Sequence, residues 1–414
     1  MIVNGLIRMK ETDHITKPSI MKKFSISILT LVLTAFAISC TAVEENEVSE
    51  ASDEWETLEQ RTQYKDIKVT KAATGFERPW AVAFLPDGKM LVTERPGRLT
   101  IVEDGEITHV EGTPEVRAVS QGGMLDVVLH PDYEENGWIY LTYSKGNEDD
   151  NTATALVRGR LDGNNFIDME ELFVQNRYSS PGRHYGSRLA WDNQGYLYMS
   201  IGDRGSEPPR AQDLSDHAGT LLRLNDDGTV PDDNPFVNDP DAANEIFSYG
   251  HRNIQGMIIN PDNNEIWVTE HGPRGGDELN LVEAGENYGW PDASLGRSYR
   301  DETQFHEGTV ARSIEGMVDP VYEFLPTLAP SGLALVSSEH FEEWNGNLLA
   351  GGLRAERIRR LLIEDHTVLH DEEILYNELG RIRDVRQGPD GYIYVLNDGD
   401  PGTLFRIEPN EGDE

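Results

Sequence analysis

The sequence predicts an all-β fold, a six-bladed β-propeller spanning residues 64–410. One unit recurs six times: an apolar strand, a turn built from Pro, Asp, Asn or Gly, and a second strand rich in Tyr, Trp, Leu and Val. No helical period of comparable strength competes with it. The 39 glycines and 21 prolines supply the turns that so many strands need. Units of this kind bury a continuous core by packing against their neighbours, and six of them close into a propeller.

The units begin at Trp80, Met124, Ser187, Gly256, Ser331 and Arg383. The first reads W-A-V-A-F-L-P-D-G-K-M-L-V-T-E and the last R-D-V-R-Q-G-P-D-G-Y-I-Y-V-L-N-D. In the fourth, residues 257–259 and 266–269 flank a Pro-Asp-Asn-Asn turn, a hairpin pattern. Further β-prone stretches follow most units, at 98–102, 155–161, 221–224, 358–363 and 404–407.

The segment before the propeller is of another kind. Residues 1–39 read as an upstream extension followed by a signal peptide: Met-Lys-Lys from Met21, an apolar run over 26–38, then Ala37, Ile38, Ser39 and Cys40. Cys40 is the single cysteine, which excludes an intrachain disulfide and a cysteine-rich metal site. Its setting resembles a lipobox, so export to the periplasm or lipid anchoring at the outer membrane through Cys40 is expected; an ordinary secretory signal is the alternative. The apolar run is too short for a secure membrane span. Residues 40–63 are acidic and poor in apolar side chains, as a disordered tether would be. The net charge of −38 repels phosphates and anionic lipid, so nucleic acid is not an expected partner.

A propeller places residues just before each first strand, or just after each second, around one end of the central channel. Gln121, Arg183, His184, Asp203, Arg381 and Arg383 occupy such positions, as do His251, Arg252, Asn253 and Gln255 opposite His271, Gly272, Pro273 and Asp277. His184 and Asp203 together make a general-base pair, the carboxylate fixing the imidazole tautomer. A surface histidine beside a turn aspartate is the plainer reading; the polar ring around them favours the pair. His217, His251 and His271 have no such partner and read as structural. Arg354, Arg381 and Arg383 converge from the fifth and sixth units and suit an anionic ligand. The loop from Gly272 to Asp277 can aim backbone carbonyls at a hard cation such as Ca²⁺.

These residues fall in motifs: G-H-R-N-I-Q-G, E-H-G-P-R-G-G-D-E-L-N, H-Y-G-S-R-L, S-I-G-D, L-N-D-D-G-T-V-P-D-D-N-P-F, P-T-L-A-P-S-G and R-I-R-D-V. As a set, in order across all six units, they resemble the soluble aldose sugar dehydrogenases that use pyrroloquinoline quinone, the glucose/sorbosone dehydrogenase family. The resemblance implies a quinone at one end of the channel and oxidation of aldose sugars at the anomeric carbon to lactones. It implies His184 as the base assisted by Asp203, and Arg252 as support for charge on the quinone oxygen. Gln121, Asn253, Gln255, Arg354, Arg381 and Arg383 become cofactor contacts. Gly272, Pro273 and Asp277 become the Ca²⁺ site, and Tyr322 and Leu325 the sugar wall. At Leu325 the best-known members carry a tryptophan, so a smaller apolar wall is expected here.

Two other functions fit the same fold. A Ca²⁺-dependent lactonase would need carboxylate or Asn ligands around the channel, and the arginine trio opposes it. A non-catalytic propeller binding a glycan or protein would not need His184, Asp203 and Arg252 together. The expected partners are thus an aldose and an electron acceptor that the residues leave unspecified.

Overall fold

The computed structural model describes residues 57–180, 182–299 and 311–410. Its strands form six antiparallel sheets, each with four or five strands. Blades one to five are sequential, with innermost strands Pro79–Phe84, Met124–Leu129, Leu189–Trp191, Ile254–Ile259 and Pro330–Leu335. Ile382–Gln387 is innermost in blade six. These six strands touch one another in ring order, and the sixth touches the first. All six recurring units are thus the inner hairpins of six blades. The helical content of the described residues is slight, one α-turn at Tyr133–Asn136 and two short 3₁₀ turns.

Blade six is assembled from both ends of the chain. Ile393–Asn397 and Gly402–Pro409 follow its inner strand, and Ile67–Phe76 then pairs antiparallel with Gly402–Pro409, Ile67 opposite Pro409. A fifth strand, Thr57–Gln60, pairs with Ile67–Phe76. The tether expected over 40–63 therefore gives way to sheet at Thr57. Leu58 packs on the core between blades five and six, and Gln60 Oε1 accepts the Leu375 N–H at 2.8 Å. Cys40, the signal-like segment and residues up to 56 lie outside the described residues.

An apolar cluster fills each interface between adjacent blades. Trp80, Leu91, Met124 and Leu141 pack between blades one and two, for example, and Phe341, Trp344, Ile358 and Val395 between five and six. Each fully buried side chain of this size contributes about 1.5–3 kcal/mol. The channel interior is ionic instead. Arg188 meets Asp126 at 3.3 Å and Asp384 at 3.0 Å, and Arg386 meets Asp126 at 2.6 Å and Asp384 at 3.1 Å. All four residues are buried or half-buried. The Arg188 Nε also donates to Gln255 O at 2.6 Å, so this network props the strand that leads into the polar ring.

Candidate active site

His184 lies on the loop before the inner strand of blade three, and Asp203 just after the second strand of that blade. The loop and strand end meet without a gap: a Cβ on Gly202 would stand 2.2 Å from His184 O, so only glycine fits there. His184 has φ of 54°, the left-handed region that non-glycine residues rarely adopt. It is held by its N–H to Gln121 Oε1, 2.8 Å, and by Nδ1 facing Asp203 Oδ1 at 2.6 Å. Strain kept in place by two such contacts is a mark of functional positions.

Both carboxylate oxygens of Asp203 are occupied. Oδ1 also accepts the Gly205 N–H at 2.7 Å, and Oδ2 accepts the Trp290 indole N–H at 2.8 Å. Burial alone would raise the Asp203 carboxyl, but His184, Arg252 and the indole outweigh it and hold it below the usual carboxylate range. Burial, with Arg252 adding to it, lowers His184 against the opposing pull of Asp203. At neutral pH the pair is a carboxylate and a neutral imidazole whose Nδ1–H donates to it. Nε2 then carries a lone pair, and Arg252 Nη2 stands 3.4 Å away.

Arg252 comes from the loop entering blade four. Its N–H donates to Glu270 Oε2 at 2.7 Å, its Nη1 to His271 O at 3.1 Å, and its guanidinium carbon lies 5.3 Å from the centre of the Trp290 ring. Its Nε is buried with no hydrogen-bond partner among the described residues. Asn253 Oδ1 accepts the Gly186 N–H at 3.1 Å, and Gln255 Nε2 donates to Gly186 O at 2.9 Å, so both fasten the His184 loop.

A cavity opens beside this constellation, lined by Gln121, Asn253, Gln255, Arg381 and Arg383, with Trp80 among the aromatic walls. Five of the six expected cofactor contacts thus surround one space. Arg354 does not line it; it is exposed, pairs with no described residue, and follows Leu353, which does line it. His271, read as structural, also faces the cavity while its Nε2 meets Pro330 O at 2.6 Å. His251 is fully buried between Ser248 and Glu270 and stacks on Tyr288. His217 is tied to Asn176 and Glu245.

The structure changes the expectation at two further positions. Asp277 is saturated by donors: Oδ1 takes the Gly272 N–H at 3.0 Å, and Oδ2 takes Thr327 Oγ1, Leu328 N at 2.8 Å and Ala329 N at 2.7 Å. It clamps two loops together instead of presenting a free carboxylate to a cation. The carbonyls of Gly272 and Pro273 accept no hydrogen bond from a described residue, so they could still serve a hard ion. Tyr322 lies in the outer strand of blade four, where its hydroxyl contacts Asp371 and accepts from Arg359 at 3.2 Å. It does not line the cavity. Leu325, beyond that strand, is 64% exposed.

Three residues enter the site unannounced. Arg95 and Asp398 line the cavity from just after the second strands of blades one and six. Trp290 comes from the long connection inside blade four, its N–H bonded to Gly250 O at 2.8 Å and its carbonyl to Gln212 at 2.7 Å.

Residues 76–406 match the profile of the glucose/sorbosone dehydrogenases. The chain belongs to this family. Aldose sugar dehydrogenase YliI of Escherichia coli K12 is 42% identical over 349 residues, covering 83% of this chain and 93% of that protein. The crystal structure of the soluble E. coli aldose sugar dehydrogenase in its apo-form superposes with a TM-score of 0.80 at 40% identity, over 83% of this chain and 100% of that one. The PQQ-bound form of an aldose sugar dehydrogenase from Streptomyces coelicolor superposes with a TM-score of 0.69 at 27% identity, over 83% of this chain and 98% of that one. The family assignment makes this chain a sugar dehydrogenase of the propeller type, and the cavity with His184, Asp203 and Arg252 its candidate active site.

Proposed function

We propose that the protein oxidises aldose sugars at the anomeric carbon to lactones, with pyrroloquinoline quinone as the hydride acceptor and Ca²⁺ as its Lewis acid. The observation that carries this reading is a neutral, strained His184, oriented by Asp203 at 2.6 Å, facing Arg252 at the edge of an arginine-lined cavity. The residues fit the cofactor by their chemistry. Arg381 and Arg383 suit a polycarboxylate, the Nε of Arg383 is buried with no hydrogen-bond partner among the described residues, and the Gly272 and Pro273 carbonyls suit Ca²⁺.

When bound, the quinone supplies an electrophilic carbon that takes hydride, made more so by Ca²⁺. The chain supplies the rest. His184 Nε2 takes the proton of the anomeric hydroxyl, and as C1 gives up its hydride the C1–O bond becomes the lactone carbonyl. Asp203 stabilises the imidazolium formed, and Arg252 supports negative charge developing beside it. Gln121, Asn253 and Gln255 hold the base loop in place, and Leu325 offers an apolar surface to the sugar. Among the channel carboxylates, Asp126, Asp384 and Asp398 each pair with arginine, which disfavours the lactonase alternative.

Adding pyrroloquinoline quinone and Ca²⁺ to purified apo-protein should give aldose-dependent reduction of a redox dye. Lack of dye reduction with any aldose, in protein that binds the quinone, would overturn the reading. We further propose export and lipidation at Cys40; Cys40→Ser should release the protein from membrane fractions.

A further inference from the structure

Among the described residues the channel arginines face carboxylates, but at one place the acids are fewer. Arg188 and Arg386 face Asp126 and Asp384, and Arg252 sits beside Asp203. At the cavity, three guanidinium groups share a single carboxylate. Asp398 pairs with Arg381 at 2.9 Å and Arg383 at 3.2 Å, and it also attracts Arg95. Among the described residues two of these positive charges have no carboxylate partner of their own, in a chain whose net charge is −38.

Arg95 is built into this place. Its N–H donates to Arg78 O at 3.1 Å, and its carbonyl accepts the Met124 N–H at 3.2 Å. A Cβ on Gly123 would stand 2.0 Å from that carbonyl, so blade two is pressed against the Arg95 backbone. The side chain is half-buried and its Nε finds no hydrogen-bond partner among the described residues. Burial disfavours its charge, Asp398 opposes that, and Arg78 and Arg381 add to it. An arginine kept charged against burial and two like neighbours is poised for an anion.

We propose that Arg95 is an anion-binding residue of the cofactor cavity, its planar fork taking one carboxylate of a ligand that carries at least two negative charges. This rests on the quinone reading above and adds a residue to it. The test is a binding titration of the full chain in Ca²⁺ buffer, followed by tryptophan fluorescence, since Trp80 lines the cavity, and by calorimetry. Two probes are used: pyrroloquinoline quinone, and benzene-1,3,5-tricarboxylate, an anion with no quinone. Arg95→Gln should weaken both by roughly ten- to a hundred-fold, the effect of losing a charge-assisted hydrogen bond. Arg95→Lys, which keeps the charge and loses the fork, should fall between.

Quinone binding of wild-type strength in Arg95→Gln overturns the proposal and leaves the quinone reading standing. Wild-type binding of the tricarboxylate alone, lost in Arg95→Gln, supports the anion site and overturns the quinone reading. Binding of neither probe by the wild type overturns both. If Arg95→Gln does not fold, as judged by circular dichroism, Arg95→Lys decides, and wild-type affinity there overturns the proposal.

Discussion

Trp290 donates its indole N–H to Asp203 Oδ2 at 2.8 Å, so the carboxylate that orients the base is itself oriented by a residue from the next blade. Asp203 cannot turn without giving up either that bond or the one to His184. Trp290→Phe keeps an aromatic ring beside Arg252 and deletes the donor together with the rest of the five-membered ring. A hydrogen bond to a charged acceptor is worth about 1.5–3 kcal/mol, so kcat should fall roughly ten- to a hundred-fold with KM little changed. Steady-state kinetics check this; a loss confined to KM would mean that Trp290 serves sugar binding instead.

His184→Ala should cut turnover by about 10²–10⁴-fold, the usual contribution of a positioned base, with quinone affinity preserved. The base acts unprotonated, so kcat/KM should rise with pH through the imidazole pKa and then level off. Burial and Arg252 lower that pKa, which places the acid limb below the ordinary value of 6.5. Arg252→Gln removes one of the causes, after burial the largest, and should move the limb upward, whatever it does to the maximal rate. A pH–rate profile of both proteins decides it, and a limb at or above 6.5 in the wild type counts against His184.

Asp277→Ala would strip acceptors from Gly272, Leu328 and Ala329 N–H groups together. Each buried donor left unpaired costs about 1–3 kcal/mol, so urea denaturation should report a loss of about 2 kcal/mol or more. The Gly272–Pro273 carbonyls would lose their support as well. The Ca²⁺ concentration needed to restore activity after chelation should therefore rise. An unchanged Ca²⁺ requirement would show that the clamp and the ion site are independent.

Leu325→Trp enlarges the exposed apolar surface beyond the outer strand of blade four. KM for some aldoses should fall with little change in maximal rate, the pattern of uniform binding. Apolar contacts of this size shift discrimination by roughly 10–200-fold at most. The wild type should accordingly oxidise several aldoses with similar kcat/KM, and a preference for one epimer beyond that range would remove Leu325 as the determinant.

The inner hairpins were legible because strand alternation and turn chemistry are local. The closing strand Ile67–Phe76 precedes the first recurring unit at Trp80 and is not marked by the repeat, since its partner lies more than 300 residues away and nothing nearby in sequence points to it. Thr57–Gln60 was hidden by acidic flanks and a single apolar residue, Leu58. His184, Asp203 and Arg252 were found by a positional rule, that strand ends ring the channel. Arg95 and Asp398 satisfy the same rule and could have been found with it. Trp290 could not, because it sits in a long irregular connection without periodicity. Asp277 beside glycines resembles a cation ligand until the donors of 327–329 are seen around it. Tyr322, three residues before Leu325, belongs to a strand whose pairing directs its hydroxyl to Asp371.

The pairing of Ile67–Phe76 with Gly402–Pro409 also sets a timetable. A strand that leaves the ribosome before any of the inner hairpins waits for the last strand of the chain, and until they meet blade six has an open edge. Arg381 and Arg383 belong to that blade, so their half of the cavity is finished only at the end of folding. A chain stopped short of Gly402 would keep five blades and His184 yet lack a settled place for its anion. Ligand binding thus becomes a read-out of ring closure.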